Sequence, residues 1–272
     1  MKVLKNINVL KKAINDNFTL GFVPTMGGLH KGHISLIKQS QNKCKKTLVS
    51  IYVNPNQFNT KKDFTSYPRN LKRDINILKK LKIDYVFIPK SNDIYGSKRL
   101  KKITLHKSQK ILCAKFRKGH FEGVLDVMDR FIRIIKPKYI FMGEKDFQQM
   151  VLIENFIKDK YKSKVFKCKT IRSKNNVPLS TRNNLLSKKN LNKVGLISSI
   201  LKKTKLNIKI QVFSDLYLIN LKKKLIKKFG IKIEYLEIRN EKDLSLLNIK
   251  KKYRLFIAYY INKVRLIDNF RL

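Results

Sequence analysis

The sequence from Gly21 to His33 reads G-F-V-P-T-M-G-G-L-H-K-G-H and decides the fold. The apolar residues 20–23 predict a buried strand that Pro24 ends, and the two adjacent glycines allow a tight turn. Apolar residues recur at helical spacing from Ile34 onward, which predicts a helix. The stretch therefore predicts a strand, a glycine turn and a helix in immediate succession.

His30 and His33 are three residues apart where this helix begins, so both imidazoles can face one point at its N-terminus. Free backbone N–H groups and the positive end of the helix dipole meet there, which suits phosphate. A single histidine at a helix start is more often a cap or a solvated side chain. A pair with an intervening glycine after a strand favours nucleotidyl transfer, in which imidazoles donate hydrogen bonds to phosphate oxygens.

The composition is typical of a globular protein with a large core. The chain has 272 residues, 43% of them hydrophobic, enough for one α/β domain or a larger domain with a smaller one. No apolar segment approaches the length of a membrane span, and residues 1–6 lack the apolar core of a signal peptide. Cys44, Cys113 and Cys168 are widely spaced, which predicts reduced thiols in a cytoplasmic protein rather than a disulfide or zinc framework.

A net charge of +45 is typical of nucleic-acid-binding proteins. Of the 63 basic residues 51 are lysines, however, and they are spread along the whole chain without an R-G-G or zinc-finger pattern. We therefore interpret the charge as drift in coding composition. We expect salt-sensitive adsorption to polyanions, but no specific nucleic-acid partner.

Strand and helix patterns alternate over the first part of the chain. The predicted strands are 20–23, 47–53, 84–88, 139–142 and 165–171, and the predicted helices are 34–43, 71–81, 124–135 and 147–158. This alternation predicts an α/β fold with a Rossmann-like parallel sheet and right-handed crossovers. Ligands of such sheets bind at the carboxyl ends of the strands.

The pattern changes after the polar segment 173–178, which predicts a turn and a hinge. Two predicted helices and three predicted strands follow: 191–203, 216–229, 231–238, 255–261 and 264–267. We therefore expect residues 1–172 to form a Rossmann-like domain. Residues 173–272 should form a smaller α+β domain that acts as a lid.

Further polar motifs occur along the chain: N-P-N-Q-F at 54–58, Y-P-R-N at 67–70, G-H-F-E-G-V at 119–124, G-E-K-D-F-Q-Q at 143–149, L-S-T-R-N at 179–183 and R-L-I-D-N at 265–269. With the first stretch, these motifs resemble the pantoate–β-alanine ligase family in order and content over residues 20–190 and near the C-terminus. The H-x-G-H motif alone would mark only a superfamily, whereas its combination with N-P-x-Q-F and G-E-K-D-x-Q-Q is specific.

The polar residues of these motifs also make chemical sense by themselves. Gln57 offers both a donor and an acceptor, which suits a hydroxy acid, and the resemblance implies that Gln57 and Gln149 bind pantoate. Lys145 lies between a predicted strand and a helix, where its ammonium can neutralise charge that develops on the α-phosphate. Residues 180–182 carry two hydroxyls and an arginine on a loop that can close over a triphosphate.

The resemblance implies that His33, His30, Lys145 and Arg182 are catalytic and that the nucleotide is ATP. The ATP-binding residues that it implies are Met26, Gly27, Gly28, Leu29, His30, Lys31, Gly32, His33, Gly143, Glu144, Lys145, Asp146, Ile171, Leu179, Ser180, Thr181 and Arg182. Residues 1–172 would then bind both the nucleotide and pantoate.

Asp74 is the candidate for contact with Mg²⁺ on the outer phosphates, directly or through water. Two positions depart from the family pattern. Lys118 stands where a proline is usual, and Thr181 stands where a serine is usual but keeps the hydroxyl. The resemblance also implies a homodimer in the cytoplasm.

The reaction implied is ATP-dependent ligation of (R)-pantoate and β-alanine to pantothenate through pantoyl adenylate, with release of AMP and pyrophosphate. Three alternatives remain open. Another small-molecule nucleotidyltransferase would share the histidines but release a stable nucleotide conjugate. A tRNA-linked adenylating fragment would fit the positive charge, although no anticodon-binding segment is recognisable. A degraded structural relative is disfavoured because every polar motif is intact.

Overall fold

The computed structural model of the chain describes residues 1–14, 18–96, 102–210, 215–246 and 252–272. The strands are β1 (Lys2–Leu4), β2 (Leu20–Thr25), β3 (Lys46–Ile51), β4 (Tyr85–Phe87), β5 (Tyr139–Gly143), β6 (Lys164–Cys168), β7 (Lys232–Asn240), β8 (Tyr253–Ile261) and β9 (Val264–Arg271). The α-helices are α1 (Ile7–Ala13), α2 (Lys31–Lys43), α3 (Lys61–Thr65), α4 (Leu71–Lys80), α5 (Ser91–Tyr95), α6 (Cys113–Phe116), α7 (His120–Ile135), α8 (Phe147–Ile157), α9 (Lys188–Ile210) and α10 (Asp215–Phe229). Among the residues described, no helix is long and apolar enough to cross a membrane.

The first six strands form a parallel sheet in the order β1-β4-β3-β2-β5-β6, as the alternating pattern predicts. From β2 the chain first adds β3 and β4 on one side of that strand, and it later adds β5 and β6 on the opposite side. The order of the strands therefore reverses beside β2. Ligands of doubly wound sheets bind outside the carboxyl ends of the strands at such a point. Here β2 leads into the turn before His30, and β5 leads into the turn that carries Lys145.

Buried side chains cover both faces of this sheet. Phe22 and Phe87 contact Phe131 of α7 on one face, with ring centroids 5.5 and 6.2 Å apart. Val23, the next residue of β2, belongs to the cluster on the opposite face with Ile37 of α2. Because successive residues of a strand point to opposite faces, both neighbours are fully buried, as expected for a parallel sheet between helices.

The three remaining strands form an antiparallel sheet in the order β7-β8-β9. Ile197 of α9 and Leu225 of α10 pack with Leu255 of β8 in one buried cluster. Phe256, the next residue of β8, contacts Phe147 of α8, with ring centroids 5.9 Å apart. The predicted α+β character of the C-terminal part is therefore confirmed, and this small sheet lies against the helix that follows β5.

The prediction that Pro24 ends its strand is wrong. Strand β2 continues to Thr25, and Pro24 pairs with Ser50 of β3. Pairing of β2 with β5 stops earlier, at Phe22. At Pro24 the side towards β5 is no longer paired, so the missing N–H of proline removes no ladder hydrogen bond there.

Several elements differ in length from the sequence prediction. Helix α2 begins at Lys31 rather than at residue 34, and α7 begins at His120 rather than at residue 124. The first residues of α2 are Lys31, Gly32 and His33, which apolar periodicity does not detect. The first turn of α7 contains the buried Phe121, but Gly119 before it and Gly123 within it weaken the helical signal. The short β1 and α1 were not predicted, because three strand residues and seven helix residues give little periodic signal.

The predicted hinge segment 173–178 is a closed hairpin. The N–H of Ser173 donates to the carbonyl of Val177 at 2.9 Å, and the N–H of Leu179 donates to that of Ile171 at 3.0 Å. Arg172 anchors the hairpin to β9 through a bidentate ion pair with Asp268, at 2.7 and 2.8 Å. Any lid movement would therefore carry the hairpin with the small sheet. The division into domains at residues 172 and 173 stays a prediction.

Candidate active site

His30 and His33 together cap the N-terminus of α2. The Nδ1 of His30 accepts the N–H of Gly32 at 3.1 Å, and the Nδ1 of His33 accepts the N–H of His30 at 3.4 Å. This is a capping box in which two imidazoles replace the usual serine and glutamate. With Nδ1 as acceptor, the proton of each neutral ring lies on Nε2. Both rings therefore keep one N–H donor that the cap does not use.

Both imidazoles are neutral at neutral pH. Burial, together with the nearby Lys145 ammonium, lowers the pKa of His30 to about 4. Burial also lowers the pKa of His33 to about 3, with an added effect of His30. The ring centroids are 4.1 Å apart, too close for two cations. The pair can thus donate hydrogen bonds to an anion without carrying charge itself.

The carboxylate of Asp74 stabilises the turn before the histidines. Gly27 and Gly28 have left-handed φ values of +77° and +63°, which glycine adopts without strain. The carboxylate of Asp74 accepts the N–H of Gly28 and of Leu29, each at 2.8 Å. Asp74 is 1% exposed and does not line the cavity described below. The geometry therefore supports a role in shaping the turn, and the contact with Mg²⁺ expected for Asp74 stays a prediction.

We predict that Asp74→Asn destabilises the fold and weakens ATP binding. An amide oxygen can accept only one of the two N–H groups well, and hydrogen bonds to a charged group are worth about 1.5–3 kcal/mol. The free energy of unfolding in urea should fall by that order, and the KM for ATP should rise. The matched control is Asp84→Asn, which also loses a carboxylate that accepts a backbone N–H, from Thr47, but lies outside the cavity. An Asp74→Asn variant with wild-type stability and KM would contradict this role.

Lys145 lies in a single 3-10 turn, Glu144–Asp146, that joins β5 to α8. Its ammonium is 3.1 Å from the carboxylate of Asp146, and its side chain is 18% exposed. Its charge acts on both histidines, since it lowers the pKa of each. The strand order thus brings Lys145 and the histidine pair to the same edge of the sheet.

Residues 180–182 contact two segments of the N-terminal part of the chain, the glycine turn and helix α3. The hydroxyl of Thr181 donates to the carbonyl of Gly28 at 3.2 Å, so threonine preserves a hydroxyl contact at this position. Arg182 forms an ion pair with Asp63 of α3 at 3.2 Å. The arginine therefore lies at the cavity paired with the carboxylate of Asp63.

Gln57 lies in the turn after β3, and Gln149 lies in the first helical turn after Lys145. The amide of Gln57 contacts the sulfur of Met26 and accepts a hydrogen bond from Asn54 at 3.4 Å. Asn54 is 1% exposed and also donates to the carbonyl of Gly123 at 3.1 Å. Asn54 thus fixes the turn that presents Gln57, a role that its place in the N-P-x-Q-F motif could have indicated.

Arg117 and His120 form a second polar pair beside Gln57. The Nδ1 of His120 is 2.6 Å from the carbonyl of Gln57, so Nδ1 must donate, and Nε2 accepts from Arg117 at 2.8 Å. Burial and the Arg117 cation lower the pKa of His120 to about 3. The carbonyl of the neighbouring Lys118 accepts from Asn59 at 2.9 Å, which ties down the loop at the position where the family usually has proline.

These residues surround a cavity of about 770 Å³. The predicted site residues that line it are Met26, His30, Gly32, His33, Gln57, Gly143, Lys145, Asp146, Gln149, Ile171, Leu179, Ser180, Thr181 and Arg182. Other predicted residues lie outside its lining: Gly27, Gly28, Leu29, Lys31, Asp74 and Glu144. Because the N–H groups of Gly28 and Leu29 already donate to Asp74, these two residues shape the turn rather than offer free donors.

The cavity combines an apolar part with positive charge. Val124, Val127, Met128 and Phe131 contribute apolar side chains from α7. Among the described lining residues, the charged side chains are four lysines, three arginines and two aspartates: Lys62, Lys145, Lys169, Lys263, Arg117, Arg182, Arg265, Asp63 and Asp146. The sequence did not predict Lys62, Lys169 or Lys263, because nothing in their local sequence distinguishes them from the other lysines among the 51 of the chain. The excess of cations suits a polyphosphate.

Neutral imidazole donors, a lysine and an arginine thus meet in a positively charged cavity at the switch point of a parallel sheet. This arrangement defines an α/β nucleotidyltransferase of the H-x-G-H type. A family model described as pantoate-beta-alanine ligase matches residues 2–271, and the chain belongs to that family.

Similar proteins cover nearly the whole chain. The pantothenate synthetase of Francisella philomiragia is 39% identical over 99% of this chain and 97% of that protein. A solved structure shows a pantoate–β-alanine ligase from Francisella tularensis complexed with β-γ ATP and β-alanine, and its sequence is 38% identical to this chain. The match covers 100% of this chain and 97% of the Francisella tularensis chain, with a TM-score of 0.85. The pantothenate synthetase of Thermus thermophilus is 27% identical, with 99% of both chains covered and a TM-score of 0.91.

Proposed function

We propose that this chain performs the ATP-dependent ligation of pantoate and β-alanine through pantoyl adenylate, with the residues around the cavity in the roles given below. Membership of the pantoate–β-alanine ligase family supports the overall reaction. The observation that carries the mechanism is the convergence of His30, His33, Lys145 and Arg182 on one cavity.

In the first step, a carboxylate oxygen of pantoate attacks the α-phosphorus of ATP. A new P–O bond forms, the bond to the β-phosphate bridging oxygen breaks, and pyrophosphate leaves with the electron pair. Negative charge builds on the non-bridging oxygens of the α-phosphate and on the leaving group. The two Nε2–H groups and the Lys145 ammonium meet that charge in fixed positions, which lowers the barrier because the donors are already oriented.

Arg182 serves the triphosphate in this proposal. Its present partner, Asp63, is 39% exposed and belongs to the short helix α3, which also lines the cavity. A triphosphate offers more negative charge than one carboxylate, so Arg182 would exchange Asp63 for phosphate oxygens. The exchange would leave the guanidinium over the departing pyrophosphate.

Pantoate would occupy the part of the cavity between the two glutamines and α7. The amides of Gln57 and Gln149 can bond its hydroxyl and carboxylate groups, while Val124 and Met128 provide an apolar wall for its methyl groups. Holding the carboxylate near the α-phosphorus converts a bimolecular encounter into an intramolecular one. In the second step, the amine of β-alanine attacks the acyl carbon, loses a proton, and AMP leaves with the electron pair.

We propose that Mg²⁺ enters as part of the ATP substrate. Among the described residues, no group of three or more histidine, cysteine, aspartate or glutamate side chains could hold a metal ion. Magnesium in such enzymes is bound mainly by substrate phosphates and water, with one or two carboxylates. Asp63 and Asp146 are the carboxylates that line the cavity, and they are the candidates for that contact.

The homodimer and the cytoplasmic location implied by the family stay predictions. So does the expectation that the positive charge serves no specific nucleic acid. The free thiols of Cys44, Cys113 and Cys168 are all buried, which is compatible with a reducing compartment.

The decisive assay separates the two steps. Pyrophosphate release should require ATP and pantoate, whereas steady formation of AMP should require β-alanine in addition. A nucleotidyltransferase that makes a stable conjugate would release pyrophosphate but no AMP after an amine is added. AMP formation that is independent of β-alanine would overturn the proposed ligation.

A further inference from the structure

The C-terminal motif R-L-I-D-N ends in a buried asparagine that reaches the lysine turn. Asn269 is 5% exposed and lies in β9. Its Nδ2 donates to the carbonyl of Glu144 and to the carbonyl of Lys145, each at 2.9 Å. A single side-chain amide therefore spans two consecutive peptide groups of the turn that carries the proposed catalytic lysine.

The orientation of this amide is fixed by its own partners. Arg254 donates to Oδ1 of Asn269 at 2.6 Å, and the backbone N–H of Asn269 donates to Asp268 at 2.8 Å. Arg254 is itself held by an ion pair with Glu241 at 2.7 Å and lies 3.9 Å from the ring centroid of Phe147. Because Oδ1 faces a cation and Nδ2 faces two carbonyls, a flipped amide would lose all three of these side-chain contacts.

The lysine turn has no side-chain cap at its start. Gly143, the residue before the turn, has no side chain that could cap it. The turn is a single 3-10 turn, and hydrogen bonds of such turns have poor geometry. The two bonds from Asn269 fix its carbonyls from outside, and with them the direction in which the Lys145 side chain leaves the backbone.

We propose that Asn269 is a positioning residue that orients Lys145 for adenylate formation. The proposal rests on the role of Lys145 in the proposed function. Asn269 does not line the cavity, so its effect on catalysis would pass through the turn rather than through contact with substrate. Supporting residues of this kind typically contribute about ten- to a hundredfold to activity.

The test is Asn269→Asp, assayed by pyrophosphate release with saturating ATP, pantoate and β-alanine. The carboxylate has the size of the amide and keeps Arg254 as partner, but it places negative oxygen against two carbonyls. We expect kcat to fall about ten- to a hundredfold with KM values near those of the wild type. The melting temperature should also fall, because two buried carbonyls lose their donor and face a carboxylate instead. Asn269→Ser, which cannot span both carbonyls, should show a smaller loss in kcat and serves if the aspartate variant does not fold. Wild-type kcat in a folded variant would overturn the proposal.

The matched control is Asn240→Asp. Asn240 is also a buried asparagine of the small sheet, 2% exposed, and its Oδ1 accepts the N–H of Lys242 at 2.8 Å. It makes no contact with the lysine turn among its described bonds. Its variant should keep wild-type kcat, and a loss equal to that of Asn269→Asp would show that any buried charge in this sheet disturbs catalysis and would overturn the proposal.

A double-mutant cycle separates this inference from the proposed function. If Asn269 acts through Lys145, Asn269→Asp should cost little further kcat in a Lys145→Ala background. An equal fold-loss in both backgrounds would overturn the positioning role while leaving the mechanism in place. Wild-type turnover in Lys145→Ala alone would instead remove Lys145 from the mechanism, and the positioning role would fall with it.

Discussion

Lys145→Ala should lower the rate of adenylate formation by about a hundred- to thousandfold. The substitution removes a charge that is fixed beside both histidines and faces the cavity, and loss of one preorganised contact of this kind costs about 3–4 kcal/mol of barrier. The effect should lie in kcat, because the charge on the α-phosphate grows only as the transition state forms. The measurement is steady-state pyrophosphate release at saturating ATP, pantoate and β-alanine.

The matched control for this prediction is Lys158→Ala. Lys158 is the exposed residue after α8, the helix that follows the lysine turn, and it does not line the cavity. Its variant should turn over like the wild type, and both variants should unfold at similar urea concentrations. Near wild-type pyrophosphate release in Lys145→Ala would contradict the mechanism.

His33→Ala should also lower turnover, by about a hundredfold or more, when pantoate is saturating. Burial lowers the pKa of the His33 imidazole to about 3, so the substitution removes a neutral donor rather than a charge. It also removes the acceptor for the N–H of His30 and so opens the cap of α2. His33→Asn should recover part of the loss, because a neutral amide can accept that N–H and donate to phosphate.

Bulk positive charge should behave differently from the histidine pair. Lys222, Lys223 and Lys224 lie on α10, outside the cavity lining. Replacing all three with glutamine should leave turnover unchanged and lower only the salt concentration needed to release the protein from a polyanion resin. Activity that is sensitive to these lysines but indifferent to His33 would favour an electrostatic binder over a ligase.

Much of the N-terminal architecture was predictable because its signals are local. The apolar run before Pro24, the glycine pair and the helical spacing after His33 lie within one short stretch of sequence. The strand and helix pattern of that stretch predicts where the carboxyl end of β2 meets the first turn of α2, and so predicts the location of a phosphate site. The ends of these elements were less predictable, since the histidines cap α2 through side-chain bonds that hydrophobic periodicity does not detect.

Asp74 illustrates where sequence reasoning fails. Its position in a helix after Y-P-R-N gave no indication that both of its oxygens accept backbone N–H groups 45 and 46 residues away. Arg182 and Asp63 pair across 119 residues. Such contacts depend on how the strands are ordered and how distant segments pack against one another, and no local pattern encodes them.

The sequence by itself determined the parallel α/β class, the smaller C-terminal sheet and the set of polar motifs, because each depends on residue spacing within one element and its turn. Tertiary structure decided the protonation state of the histidines and the hydrogen bonds that hold the Lys145 turn. The histidines are neutral because other elements bury them and place Lys145 nearby. The Lys145 turn is held by Asn269, 124 residues later in the chain, because β9 packs against that turn. Burial and long-range hydrogen bonds arise only when distant segments pack together, so only the folded chain shows them.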